Sequence, residues 1–283
     1  MIQAINKELE LSPEYKQSKG TLVLDIDGTL TDPNNQYKIY QPLIETLSSF
    51  INNGGSIVIS SGGTFNRINY SLILPISQNV ENISLFKNSF FIIPEYGSAI
   101  YEFSEQKWVP LLEFDLPNKN RVRNILKKFT QLNQNSFIAG PSSQDRIFRQ
   151  YSLGLKGLEN PIKTKNYFIE KIIPKYPEID WNNISLRVES STIDFCHVKA
   201  RKDTSLYYLL KLNPYLAKKI YGFGDNADEF AYVVPTFDVK RGESEFEEKL
   251  MPYIKTPQQK TNGEAVDEII NFLNYFSFGI NGM

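Results

Sequence analysis

The chain has 283 residues, 41% of them hydrophobic, and a formal charge of −1. Length on this scale buries a full core and leaves room for two domains. The near-neutral charge gives no electrostatic basis for partnership with nucleic acid or an anionic membrane surface, no apolar run approaches the ~18 residues of a membrane span, and the single cysteine, Cys196, excludes an internal disulfide. Residues 1–20 are polar and mixed in charge, without the apolar centre of a signal peptide, so a soluble cytoplasmic protein is expected.

Thr21 to Leu24 is a short apolar, β-branched run, which predicts a strand buried on both faces. It ends in Asp25-Ile26-Asp27-Gly28-Thr29. Alternate strand side chains share a side, so Asp25 and Asp27 are expected to look into one crevice. In an open parallel sheet, that crevice lies outside the carboxyl ends of the strands. Two crowded carboxylates repel, and a divalent cation relieves the repulsion. A calcium loop does not fit, because the position needing the loop glycine is Leu30. The bland reading is a solvated turn with two incidental acids.

Asp32 to Tyr40 reads as a polar loop. Pro42 to Asn53 has Leu43, Leu47, Phe50 and Ile51 at helical spacing, with Gly54-Gly55 as the stop. Ser56 to Ser60 is the next buried strand and leads into Ser61-Gly62-Gly63-Thr64, a hydroxyl and amides suited to phosphate oxygens. Phe90 to Pro94 predicts a third strand, followed by Glu95-Tyr96-Gly97-Ser98. Beyond Val109-Pro110 come a helical stretch over Arg121 to Leu132 and strand-like pieces near 137–139, 146–155, 184–188 and 192–196. A second helix fits Thr164 to Tyr176. Arg146, Arg149, Lys156 and Arg187 are candidates to reach a leaving group, against the plainer reading of each as a solvated charge. Lys202 opens a helix with Leu206, Leu209 and Leu210 on one side. A lysine there adds its charge to the positive end of the helix dipole. Lys199 is the less well spaced alternative, and His197 and Cys196 are read as ordinary packing. Lys219 to Phe223 predicts a strand ending in Gly224-Asp225-Asn226-Ala227-Asp228-Glu229. A strand over 233–239, a loop at Arg241 to Ser244 and a closing helix from Thr261 to Phe276 complete the chain.

The string Asp25 to Thr31, Ser61 at the next strand end, Lys202 with Leu206 and Leu209, and Gly224-Asp225 to Glu229 together resemble the four motifs of the haloacid dehalogenase (HAD) superfamily of phosphohydrolases. Glu95-Tyr96-Gly97-Ser98 and Thr261-Asn262-Gly263 are similar to segments of its sugar-phosphatase branch, with Tyr96 where Asn is common. Gly63 stands where many relatives have Arg, and Arg67, one helical turn on, is a candidate substitute. Asp203 replaces a glycine of the third motif.

The resemblance implies an α/β fold: a Rossmann-like parallel-sheet core over residues 1–110 and 198–283, with an α+β cap inserted at 111–197 that sets specificity. It implies a Mg²⁺-dependent phosphatase of a small phosphorylated metabolite, with a sugar phosphate the favoured class. Asp25 would be the nucleophile and Asp27 the acid and base. Ser61, Lys202, Gly28 and Gly62 would hold phosphate. Asp25, Asp27 and Asp225, with Asp228 or Glu229, would hold the metal. The alternatives are a phosphomannomutase-like phosphosugar mutase and a non-catalytic binding protein that kept the fold. The sequence leaves the oligomeric state open.

Overall fold

The structure is a computed structural model describing residues 20–27, 29–32, 38–39, 41–105, 107–139, 149–189, 191–217, 219–224 and 236–238. Gly28, Arg146, Asp225, Asp228 and Glu229 lie outside the described residues, as do the expected loop at 241–244 and closing helix at 261–276.

The larger sheet is built around β1 (Thr21–Leu24), every residue of which is buried. The other strands of the first half are β2 (Thr31–Asp32), β3 (Lys38–Ile39), β4 (Ser56–Ser60), β5 (Phe90–Ile93), β6 (Ala99–Ser104) and β7 (Lys107–Glu113). In the second half come β8 (Phe137–Ile138), β9 (Leu153–Lys156), β10 (Ile184–Glu189), β11 (Thr192–His197), β12 (Ile220–Gly224) and β13 (Thr236–Asp238). Seven strands form one sheet in the order β13-β12-β1-β4-β5-β6-β7. The first five are parallel, and the β6–β7 hairpin joins antiparallel. The helices are α1 (Gln41–Asn52), α2 (Phe65–Ile68), α3 (Leu74–Asn79), α4 (Ile83–Ser89), α5 (Lys119–Leu132), α6 (Pro161–Tyr167) and α7 (Lys202–Leu212).

Alternation along the strands decides which layer each side chain enters. Leu22, Leu24, Ile57 and Ile59 face α1, α3 and α4, packing on Leu43, Leu47, Ile76 and Phe86. Val23, Val58, Phe91 and Ile93 face the other way, onto Leu206 and Leu209 of α7. The result is a Rossmann-like mixed sheet with helices on both faces. α1 ends as its glycines predict. Gly54 has φ +84°, and a Cβ on Gly55 would lie 2.2 Å from the Phe50 ring.

A second, wholly antiparallel sheet, β10-β11-β9-β8, is built from the chain between β7 and β12. Leu153, Leu155, Ile193 and Phe195 project from one face to meet Val122, Leu126 and Phe168 of the helical layer. Gly154, Arg187 and Asp194 form a cross-strand row on the opposite face. The helix expected at Thr164 starts earlier, at Pro161, because Asn160 caps it by accepting from the Lys163 N–H at 2.9 Å. It runs on through a π-turn, Phe168–Ile172. The expected division at residue 111 falls inside β7, whose residues through Glu113 pair with β6 in the larger sheet. At the two sides of the expected loop at 32–40, Thr31–Asp32 pairs antiparallel with Lys38–Ile39. Among the described residues, no helix is long and apolar enough to cross a membrane.

One carboxylate moors the smaller sheet to the larger. Glu95, just beyond β5, is buried, and its Oε1 accepts from the Gln150 N–H at 2.7 Å. Its Oε2 accepts from the Tyr151 and Ser152 N–H groups at 3.1 and 2.9 Å and from the Ser152 hydroxyl at 2.6 Å. Glu95, Tyr96 and Gly97 have φ of +48°, +60° and +92°. Two non-glycine residues in this region cost on the order of 1–3 kcal/mol each and persist only when the surroundings over-determine them. The four bonds to Glu95 supply that constraint. At Gly97 a Cβ would come within 2.3 Å of the Arg201 carbonyl oxygen, so only glycine fits.

Replacing Glu95 by Ala should destabilise the protein by on the order of 3 kcal/mol, because buried amides lose their acceptor. Urea unfolding with an unchanged midpoint would contradict this role. The Cys196 thiol is fully buried, and burial pushes its pKa up to about 12. A thiol-reactive dye at about pH 8 should therefore label unfolded protein and leave native protein unmodified.

Candidate active site

The site forms where β1, β4 and β12 end together. Leu24 is in register with Ile59 on one side and Phe223 on the other, and the Asp25 N–H donates to the Phe223 carbonyl at 3.0 Å. The sheet thereby brings Asp25 beside the strand end that carries Ser61. The expected metal ligand Asp225 follows Gly224, the last residue of β12, and is outside the described residues.

Asp25 and Lys202 are 177 residues apart in sequence and meet in a buried contact of 2.7 Å between Nζ and Oδ1. Burial pushes the Asp25 carboxyl above the usual range, and the Lys202 ammonium opposes that rise. Lys202 is the first residue of α7, where the helix terminus also favours negative charge. Lys199, the alternative, is exposed, and its N–H donates to Nδ1 of His197. Asp203 does not enter the site. It accepts from the Thr204 N–H at 2.7 Å and pairs with Arg201.

Ser61 is buried, and its Oγ accepts from the Gly63 N–H at 2.9 Å. The Ser61 N–H donates to Ile93 O, and the Tyr96 N–H donates to Ser61 O. These bonds set the loop between β4 and the left-handed turn. Asp27 faces a different partner: Nη1 and Nη2 of the Arg67 guanidinium donate to its two carboxylate oxygens, Nη1 at 2.9 Å. Arg67, one helical turn beyond Gly63, thus pairs with Asp27.

The roof comes from the smaller sheet. Arg149 donates to the Gly62 carbonyl at 3.3 Å and forms an ion pair with Asp194 at 3.2 Å, both side chains being buried. Burial, the largest single influence, would lower the Arg149 pKa, but Asp194 and then Tyr96 and Glu95 act against it, and together the neighbouring acidic groups raise it. The Arg149 and Arg187 guanidinium carbons lie 5.6 and 5.3 Å from the centre of the Tyr96 ring. Burial and the nearby Asp194 carboxylate push the Tyr96 phenol well above its usual range. Of the basic candidates in this part of the chain, Arg149 and Arg187 lie against the Tyr96 ring, Lys156 acts on the Asp194 carboxylate, and Arg146 is outside the described residues. Asp194, Glu95 and the clamped Tyr96 ring were not among the candidates, because their partners are remote in sequence.

The described donors are all hard oxygens, the type that Mg²⁺ takes. Asp25 and Asp27, with the strand end of β12 alongside, fit such an ion. No group of three or more His, Cys, Asp or Glu forms a metal cluster among the described residues. His197 stacks on Phe114 at 5.7 Å, away from these carboxylates, as ordinary packing requires.

Comparison with known proteins agrees with this layout. Residues 22–185 match the model of the haloacid dehalogenase-like hydrolase family. Among solved structures, a haloacid dehalogenase-like hydrolase from Bacteroides thetaiotaomicron superposes with a TM-score of 0.62 at 19% identity, covering 90% of this chain and 99% of the other. A HAD subclass IIB sugar phosphatase gives 0.56 at 14% identity, with 91% and 99% covered. A HAD-superfamily phosphatase from Bacteroides thetaiotaomicron gives 0.56 at 13%, with 96% and 99% covered. No curated protein matches significantly. With a family match over more than half its length, the chain belongs to the haloacid dehalogenase-like hydrolase family.

Proposed function

We propose that this protein is a Mg²⁺-dependent phosphatase of a small phosphorylated metabolite, of the sugar-phosphate class, acting through an aspartyl phosphate on Asp25. The observation that carries the reading is the buried Lys202–Asp25 contact at a parallel-sheet carboxyl edge, beside Ser61. The kinship with subclass IIB structures supports it.

Phosphoryl transfer depends chiefly on positioning and on neutralising charge. A carboxylate of Asp25 attacks phosphorus in line with the departing oxygen. The P–O bond to the leaving group breaks, and Asp27 delivers a proton to that oxygen. Water then attacks phosphorus of the acyl phosphate, with Asp27 taking its proton, and inorganic phosphate leaves with Asp25 regenerated. Lys202, Ser61 and the amides around Gly28 and Gly62 bind the non-bridging oxygens. Arg67 holds the Asp27 carboxylate in orientation through its paired hydrogen bonds. Mg²⁺, bound by Asp25, Asp27 and Asp225 with Asp228 or Glu229 nearby, would supply charge neutralisation at the phosphoryl group. A division into a catalytic core and an inserted specificity cap, the cap starting after β7 rather than at residue 111 and ending near residue 197, is part of the proposal, as is a soluble, cytoplasmic setting.

Asp25→Asn should lower kcat for a chromogenic phosphate ester by at least about a thousand-fold, with circular dichroism showing the fold retained and the melting temperature lowered because the buried Lys202 ammonium loses its counter-charge. Retained turnover in this variant would refute the assignment. EDTA should abolish the activity and added Mg²⁺ should restore it. Full activity after chelation and dialysis would remove the metal from the proposal.

A further inference from the structure

The helical layer of the smaller sheet carries a groove that takes no part in the chemistry above. Asp194 points toward the Arg149 and Tyr96 side of that sheet, whereas Ile193 and Phe195 point the other way, into Leu126 and Phe168. The groove lies in that helical layer, so the sheet stands between it and Asp25. Ile125, Lys128, Phe129 and Leu132 recur at i, i+3, i+4 and i+7 along α5 and form one wall. Lys163, Thr164 and Tyr167 of α6 form the other. The π-turn Phe168–Ile172, bonded from i to i+5, takes in an extra residue. Ile172, Lys175 and Tyr176 thereby line the same groove as the α6 residues before the turn. The cavity between the walls is about 550 Å³, within the ~300–1,000 Å³ of ordinary small-molecule sites.

Its lining combines apolar rings with positive charge. Phe129, Tyr167 and Tyr176 contribute rings, and Leu132 is 86% exposed. Lys128, Lys163 and Lys175 come from three separate segments, and all are exposed. Among the described residues, none of the three is in an ion pair, and no carboxylate lines this cavity. Neither α5 nor α6 contains an acidic residue, in a chain whose net charge is −1. A second cavity of about 390 Å³ adjoins the first, and Phe129, Asn133, Lys163 and Thr164 line both. The second is largely polar, with Gln134, Asn135 and Glu159 in its wall.

We propose that this groove binds a nucleoside phosphate. The base enters the apolar cavity against Phe129 and Tyr167, and the phosphates meet Lys128, Lys163 and Lys175. The ribose sits where the cavities join, its hydroxyls donating to Glu159 as a vicinal diol does to a carboxylate. Each feature narrows the ligand. Rings ask for a flat apolar body, three cations for more than one negative charge, and the adjoining amides and carboxylate for hydroxyls. A second copy docked by the same face would set lysines against lysines. The inference stands apart from the phosphatase reading, since none of these residues belongs to the proposed catalytic set.

The test is isothermal titration of the full chain with α,β-methylene-ADP, whose bridging carbon a phosphatase cannot cleave. The probe should bind, and K128Q/K163Q should weaken it by at least about ten-fold. Y167A should weaken it too, as should added salt. Adenosine alone and methylenediphosphonate alone should each bind at least about ten-fold more weakly than the intact probe. These side chains are exposed, so the variants should keep the circular dichroism spectrum and the ester hydrolysis of the unaltered protein. Absence of binding overturns the inference, as does an affinity unchanged in K128Q/K163Q, which would put the probe elsewhere. Methylenediphosphonate binding as tightly as the probe overturns it as well, leaving a site for anions only. Phosphatidylserine vesicles that capture the protein through these lysines, or self-association lost in L132E, would overturn it if the probe does not bind.

Discussion

The Glu95 carboxylate is the constraint on which the arrangement rests. Its two oxygens take four hydrogen bonds from residues 150–152, so one core side chain fixes where the smaller sheet begins. The same side chain belongs to a left-handed turn that would otherwise relax. The turn aims Tyr96 back at Gly62 and sends its N–H to Ser61. The set of the Ser61–Gly62 loop, the ring beside it and the attachment of the smaller sheet all depend on a single buried acid.

Three ion pairs surround the site at different depths. Arg67–Asp27 is partly exposed, whereas Lys202–Asp25 and Arg149–Asp194 are buried. An uncompensated charge in the inner positions would be costly, and removing one member of a buried pair strands the other. The depth order suits the proposed mechanism. The inner carboxylate, Asp25, is kept from water and set against a lysine, as the proposed nucleophile would need. The outer one, Asp27, stays within reach of solvent, as the proposed acid and base would need.

Much of this was legible in the sequence wherever a local signal existed. Runs such as Leu22-Val23-Leu24 and Ile57-Val58-Ile59 read as doubly buried strands, because residues facing either way meet a helix layer. Lys202 was recognisable as a helix start with an apolar stripe, and its contact with Asp25 joins two ends of the chain. Features set by distant partners were not legible. Nothing near Glu95 announces that its acceptors will be filled by amides at 150–152. The helical stretch from Phe65 to Asn79 escaped because a π-turn at 69–73 shifts its apolar positions out of simple periodicity. The Thr31–Asp32 and Lys38–Ile39 pairing escaped because two-residue strands carry no alternation to read.

The partners of Glu95 in the incoming segment are mostly main-chain nitrogens, and every residue other than proline has one. So far as this attachment is concerned, the identities of residues 150 and 151 are immaterial. Evolution could therefore rewrite this stretch, and with it the surface offered to different metabolites, without unfastening the domain from its base.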